Sequence, residues 1–277
     1  MTLPFVKMNG LGNDFVVVVA EDRVFDPTPE EVRAIADRET GIGCDQLISV
    51  TRSDRAAVQM KIWNADGGEV GACGNASRCV AWLAMESMGL DRVRLETEKG
   101  LLEAWRVGEQ LVTVDMGPPR LEWTQIPLSR PSETRELPIE VSLDLRGPGA
   151  VSMGNPHLVF FVMDLDRIPI EEVGPMMERH PLFPQRANVG FAEIRGHDRI
   201  RLKVWERGVG LTQACGTGAC AALVAAHRRG LTDRAAILEM DGGELEIDWS
   251  EADDRVRMTG PVSIEFTGLL QFEETAA

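Results

Sequence analysis

The sequence predicts an α+β protein of two pseudo-symmetric domains, each a curved sheet wrapped around one mostly buried helix. Three observations lead there. Lys61-Ile62-Trp63 precedes Cys73-Gly74 just as Lys203-Val204-Trp205 precedes Cys215-Gly216, at an offset of 142 residues. The same offset superposes Asn13 on Asn155, Gln46 on Asn188 and Asn64 on Glu206 without a gap, so polar residues repeat together with thiols. Finally, many short β-type runs and one long helix recur in the same order in both copies, and Ala219 to Ala226 is apolar enough to be buried on most sides.

The elements follow in order. β-type segments span Phe5 to Met8 and Phe15 to Val19. Thr28-Pro29-Glu30-Glu31 is a capping box with proline at the first helical position, and Val32, Ile35 and Ala36 give that helix its apolar face as far as about Asp37. Strands are expected at Leu47 to Val50 and Val58 to Trp63. Ala76, Cys79, Val80, Leu83 and Ala84 have helical spacing after Cys73, and Gly89 stops the helix. Three strands near Val93 to Thr97, Leu101 to Val107 and Gln110 to Met116 bring the first copy to Gly117-Pro118. In the second copy a helix runs from Cys215-Gly216 through about Arg229, with strands at Ile237 to Met240, Glu244 to Trp249 and Arg255 to Thr259. The stretch from Pro118 to Pro148, rich in proline and polar residues, reads as a linker plus the opening strand of the second copy.

At 277 residues each domain has room for its own core. The formal net charge of −15 without a Lys/Arg-rich run argues against a nucleic-acid partner and against an anionic membrane surface. The apolar runs Phe15 to Ala20 and Leu158 to Met163 are far shorter than the ~20 residues of a spanning helix. No signal-type region develops at the N-terminus, and five cysteines, an odd number, argue against a disulfide framework. The expectation is a cytoplasmic protein with reduced thiols.

Each principal cysteine is followed by glycine and then a helix. That places a thiol and the next backbone N–H groups at a helix N-terminus, where positive dipole favours a thiolate and binds carboxylate. Two such ends acting on one small anion suit proton transfer at a carbon acid: one thiolate removes a Cα proton, the other thiol donates to the opposite face, and the configuration inverts. The N–H groups would stabilise charge growing on the carboxylate. This chemistry needs no cofactor. Lys7, Lys61, Lys99 and Lys203 are the only lysines and none stands in a polar motif, so a pyridoxal lysine is not supported.

Met8-Asn9-Gly10-Leu11-Gly12-Asn13-Asp14-Phe15, Gly41-Ile42-Gly43-Cys44-Asp45-Gln46, Asn64-Ala65-Asp66-Gly67 leading to Cys73-Gly74-Asn75, Gly154-Asn155-Pro156-His157, and Glu206-Arg207-Gly208 leading to Ala214-Cys215-Gly216-Thr217-Gly218 together resemble the motifs of diaminopimelate epimerase. The resemblance runs from about residue 5 to 265. It implies a cofactor-independent epimerase that takes LL- to meso-diaminopimelate for lysine and peptidoglycan precursors. It also implies two β-barrel-like domains, each around a central helix: residues 1–118, completed by 264–277, and residues 119–263. A homodimer is implied as well. By position, Cys73 and Cys215 would be the acid/base pair; Gly74, Asn75, Gly216 and Thr217 the helix-end donors; and Asn13, Gln46, Asn64, Asn155, Asn188 and Arg207 the substrate contacts. Glu206 would take the substrate ammonium or tune a thiol, His157 would sit near one thiol, and Arg207 is a natural bidentate partner for the distal carboxylate.

The chain departs from the family pattern at Leu211, Gly190, Ser77 and Phe266, the last standing where a tyrosine is usual near the dimer contact. Cys44, Cys79 and Cys220 read as core residues, since cysteine is among the most buried types and the last two do not obey the 142 offset. Cys73-x5-Cys79 and Cys215-x4-Cys220 lack a zinc-knuckle spacing, so no metal is expected. A proline racemase relative and a thiol redox or metal-responsive protein are the competing readings.

Overall fold

The computed structural model describes residues 2–23, 25–71, 73–142 and 145–271. The chain divides into two compact units, residues 1–114 with 260–277, and residues 115–259. The first unit contains β1 (Thr2–Gly10), β2 (Asn13–Glu21), α1 (Pro29–Ala36), β3 (Gln46–Thr51), β4 (Val58–Asn64), β5 (Glu69–Val70), α2 (Gly74–Met88), β6 (Arg92–Thr97), β7 (Gly100–Gly108) and β8 (Leu111–Asp115). The second contains β9 (Glu140–Ser142), β10 (Leu145–Arg146), β11 (Gly149–Ser152), β12 (Pro156–Val162), α3 (Ile170–Glu178), β13 (Asn188–Gly196), β14 (Arg199–Glu206), β15 (Gly210–Thr212), α4 (Gly216–Arg228), β16 (Ala235–Met240) and β17 (Gly243–Trp249). β18 (Val256–Pro261) closes it, and β19 (Ser263–Gln271) pairs antiparallel with β1. Of the C-terminal return expected over 264–277, residues 272–277 lie outside the described residues.

The duplication is a duplication of pairing. In the first unit β1–β2 is antiparallel, β2–β3 parallel, β3–β4 antiparallel, β4–β6 parallel, and β6–β7 and β7–β8 antiparallel. The second unit has the same senses in the same order through β11, β12, β13, β14, β16, β17 and β18. Each parallel pair is bridged by a helix or a longer crossover, as parallel strands require.

Both long helices are cores in themselves. α2 buries a continuous run from Gly74 to Ala81 plus Ala84 and Met85, and Gly89 ends it in the left-handed conformation at φ 65°. α4 buries nearly every side chain from Gly216 to Ala226, packing on β11, β12, β13, β16 and β17. Small residues make this possible, because sheet can approach an alanine-rich helix from all sides. The capping box on α1 forms as expected: Thr28 accepts from the Glu31 N–H, and Glu31 returns a bond to the Thr28 N–H at 2.7 Å.

The stretch from Pro118 to Pro148, read as a linker plus the opening strand of the second copy, carries the short strands β9 and β10 and also buries Ile126, Leu128, Leu137 and Ile139 in the core of the second unit. α3, absent from the elements expected from sequence, has Pro175 inside and no side-chain cap, yet it forms one offset beyond α1 with Glu171 and Glu172 in its first turn and Ile170, Val173 and Met177 buried. It lies directly on Trp205. A Cβ added at Gly174 would come within 2.6 Å of the indole ring.

Candidate functional site

The two clusters that carry the predicted residues are built alike, one in each unit. Strand ends supply the amides. Asn13 opens β2, Gln46 opens β3 and Asn64 ends β4, and Gln46 stands opposite Asn64 in the antiparallel register. Asn188 and Glu206 occupy the same two positions on β13 and β14, and Asn155 immediately precedes β12. The cysteines are N-caps. Cys73 (φ −145°, ψ 120°) and Cys215 (φ −127°, ψ 107°) share one extended conformation, and neither side chain closes a cap hydrogen bond. The first turns of α2 and α4 thus open on backbone N–H groups without a capping side-chain oxygen, the Gly218 N–H pointing at the Cys215 sulfur, an arrangement that suits an anion.

In the first unit the Cys73 sulfur stands 3.9 Å from Asn13 Oδ1, at the long end of sulfur hydrogen bonding. Asn13 Nδ2 donates to Asp45 Oδ2 at 2.8 Å. Gln46 Nε2 donates to Asn64 Oδ1 at 2.9 Å, and Gln46 Oε1 is buried with no hydrogen-bond partner among the described residues. Such an acceptor is costly to bury unless a ligand donor completes it. Ser77, a departure from the family pattern, donates its hydroxyl back to Cys73 O at 2.8 Å, so it closes the first turn.

Behind these amides lies a network that the sequence did not reveal. Lys7, placed outside any polar motif by sequence, is buried; its Nζ donates to Asp14 Oδ2 at 2.6 Å and to the Gly43 carbonyl. Arg38 grips both Asp14 oxygens at 2.9 and 3.0 Å and reaches Asp45 Oδ1 at 2.8 Å. Burial raises the Asp14 pKa, but hydrogen bonds from Arg38 and Lys7 overcome it and hold the carboxyl well below its ordinary value. Cys44 and Cys79 behave as core thiols, pushed up by burial to about 11 and about 12.

In the second unit the half-buried Glu206 is the carboxyl beside the thiol. Burial raises its pKa, opposed by hydrogen bonds from Thr212, at 2.7 Å, and from Cys215. Burial, then the Glu206 charge, pushes Cys215 well above the ordinary thiol value, although Gly218 N–H points at the sulfur and Thr217 Oγ1 lies 3.7 Å away. At Cys215, burial and the Glu206 charge oppose what a helix end offers a thiolate. A Cβ at Gly218 would stand 3.0 Å from Val204 and 3.2 Å from the Cys215 sulfur, so the helix approaches closely because this residue is glycine.

His157, expected near one thiol, touches Asn155, which in turn bonds the Thr217 hydroxyl beside Cys215. It sits on β12 with its Nε2 3.0 Å from Asn155 Oδ1, to which it donates, and 3.5 Å from Asn188 Nδ2. Burial, reinforced by the Arg207 charge, lowers its pKa to about 3, so the ring is neutral. Asn188 has both ends of its amide engaged, accepting from Arg207 N–H at 2.8 Å and donating to Pro156 O at 3.5 Å. Arg207 is exposed, and its guanidinium rests on Gln185 O at 2.7 Å. Glu178, which sequence reasoning missed, takes the Trp205 indole N–H at 2.9 Å and the Gly208 N–H at 3.3 Å, fixing the turn that bears Glu206 and Arg207. The available signal was the broken repeat: one offset earlier, α1 buries Ala36 where α3 buries Glu178. Among the described residues no group of three or more His, Cys, Asp or Glu could hold a metal ion.

The family model for diaminopimelate epimerase matches residues 5–122 and 149–265. A diaminopimelate epimerase of Phenylobacterium zucineum is 60% identical over 98% of both chains, and one of Caulobacter vibrioides is 53% identical over 98% of both. Among solved structures, a hydroxyproline epimerase from Agrobacterium vitis superposes with a TM-score of 0.70 at 17% identity, covering 99% of this chain and 94% of that one. A PhzF-family protein of Bacillus anthracis gives 0.70 at 17% identity over 98% and 100%. At such identities these two structures speak for the fold alone.

Proposed function

The chain belongs to the diaminopimelate epimerase family, and from that premise we propose that Cys73 and Cys215 are the acid/base pair of a cofactor-independent inversion at one α-carbon of diaminopimelate. The reaction interconverts the LL and meso isomers, a step in making lysine and peptidoglycan precursors. One observation carries the mechanism: the two cysteines are equivalent N-cap residues of the central helices in two copies of one fold. Inversion by proton transfer needs two groups of like chemistry on opposite faces of a carbon, and a duplicated thiol supplies them.

In one direction Cys73 removes the α-proton and Cys215 delivers another; in the reverse direction they exchange roles. The N–H groups of Gly74, Asn75, Gly216 and Thr217 stabilise the charge that spreads onto the substrate carboxylate as the carbon is deprotonated. Cys215 rests as the thiol, since its pKa is pushed far up. Gln46 Oε1 and Asn13 Oδ1 are acceptors suited to a substrate ammonium, and Asn64, Asn155 and Asn188 serve as further substrate contacts. Arg207 takes the distal carboxylate and Glu206 takes an ammonium or tunes the Cys215 thiol, while Asn188 and His157 keep this turn in place.

The enzyme works in the cytoplasm and as a homodimer in this reading. The exposed apolar residues Ile264, Phe266 and Leu269 on β19 support the second point, with Phe266 braced edge-on by Phe5 at 6.0 Å. The test is to incubate each isomer in deuterated water with no added cofactor. Interconversion with deuterium entering Cα supports the mechanism, and a requirement for pyridoxal phosphate overturns it.

A further inference from the structure

Asn13 and Asn155 stand one offset apart, yet their amides are held differently, and a carboxylate decides the first of them. Asp45 can only accept hydrogen bonds. Its Oδ2 takes Asp14 N–H at 3.0 Å and Asn13 Nδ2 at 2.8 Å, and its Oδ1 takes Arg38 at 2.8 Å. Asn13 must therefore turn its NH₂ to Asp45, which leaves Oδ1 as the atom facing the Cys73 sulfur at 3.9 Å. We propose that Asp45 is a positioning residue for the reaction: acting through Asn13, it presents a hydrogen-bond acceptor to Cys73.

The second copy lacks the device. Ala187 stands one offset beyond Asp45, and Asn155 is held instead by its Nδ2 on Thr217 Oγ1 at 3.3 Å and its Oδ1 toward His157. That hydroxyl lies 3.7 Å from the Cys215 sulfur, so the second copy sets Thr217 by its thiol where the first sets the Asn13 carbonyl oxygen. On the two-thiol reading, from which this proposal proceeds, Asn13 Oδ1 is also where a substrate ammonium competes with the Cys73 S–H. Binding of substrate then withdraws the acceptor from sulfur and eases its deprotonation.

The surrounding charges sharpen the test. The charged Arg38 holds Oδ1 of Asp45 and keeps the remaining carbonyl oxygen of Asp45→Asn at the expense of the Asp14 N–H, so the introduced NH₂ faces Asn13. Asn13 then turns over and offers Cys73 a donor. The rate of iodoacetamide alkylation at Cys73, read by peptide mapping of the full chain at one neutral pH without substrate, is expected to rise about threefold or more, because a donor favours thiolate. In an Asn13→Ala background the same substitution is expected to change nothing. An unchanged rate in Asp45→Asn, or the same change with Asn13 absent, overturns the proposal. If Asp45→Asn does not fold, the wild-type protein still decides: the Asn13 side-chain NH₂, assigned by its loss in Asn13→Ala, must exchange slowly with water, and fast exchange overturns the proposal. Neither readout depends on turnover, so failure of the two-thiol mechanism would leave these results standing.

Discussion

Trp205 donates its indole N–H to the Glu178 carboxylate across 2.9 Å, and the same carboxylate receives the Gly208 N–H at 3.3 Å. Glu178 is buried, so it joins α3 to the turn that carries Glu206 and Arg207 in a place where water cannot substitute. An amide at this position can accept only one of the two donors. Glu178→Gln is expected to loosen the turn at a cost of about 1–2 kcal/mol, or roughly a tenfold rise in KM for diaminopimelate, with a smaller change in kcat. Steady-state kinetics together with Trp205 fluorescence check this. An unchanged KM with a shifted emission would show that the turn does not position the substrate.

Gly174 tests the same contact from the helix side. The Cβ of Gly174→Ala would meet the Trp205 ring at 2.6 Å, against an indole held by Glu178 and unable to swing away. The expected loss is about 1–3 kcal/mol, typical of overpacking. Urea denaturation measures it. No loss would mean that α3 shifts freely on β14.

These two residues show what the sequence could and could not disclose. Asn13, Gln46, Asn64, Asn155 and Asn188 were legible because a 142-residue offset repeats polar residues that packing alone does not require. The capped start of α1 and the alanine-rich run of α4 were legible because their signals are local. α3 was not, since Gly174 and Pro175 oppose a helix and only burial of Ile170, Val173 and Met177 makes one. Glu178 and Asp45 act across 27 and 32 residues of chain, on Trp205 and Asn13. Each is a carboxylate where the other copy buries an alanine, Ala36 or Ala187, so the repeat marks them by its breaks. Lys7 looked isolated because its partners, Asp14 and Gly43, are brought to it by β2 and the approach to β3.

His157 gives a pH prediction. Burial first, and then the Arg207 charge, lower its pKa to about 3, against 6.5 for an unperturbed ring. Between these values the unfolded chain binds a proton that the native state refuses, so stability falls as the pH drops. The slope from this one group approaches about 1.4 kcal/mol per pH unit below 6.5. His157→Phe, which copies Phe15 one offset earlier, is expected to flatten that slope in urea melts taken between neutral and mildly acidic pH. An unaltered slope would assign the acid sensitivity to another group. The pH–rate profile, for its part, should show no step from His157 near 6.5.

The most direct test of the account is isotope exchange in the single-thiol variants Cys73→Ala and Cys215→Ala, each folded and incubated with LL- and meso-diaminopimelate in deuterated water. Both are expected to lose interconversion of the isomers by at least about a thousandfold, since each lacks the acid or the base for one face. Interconversion that persists in Cys215→Ala at a rate near that of the intact protein would contradict the two-thiol mechanism.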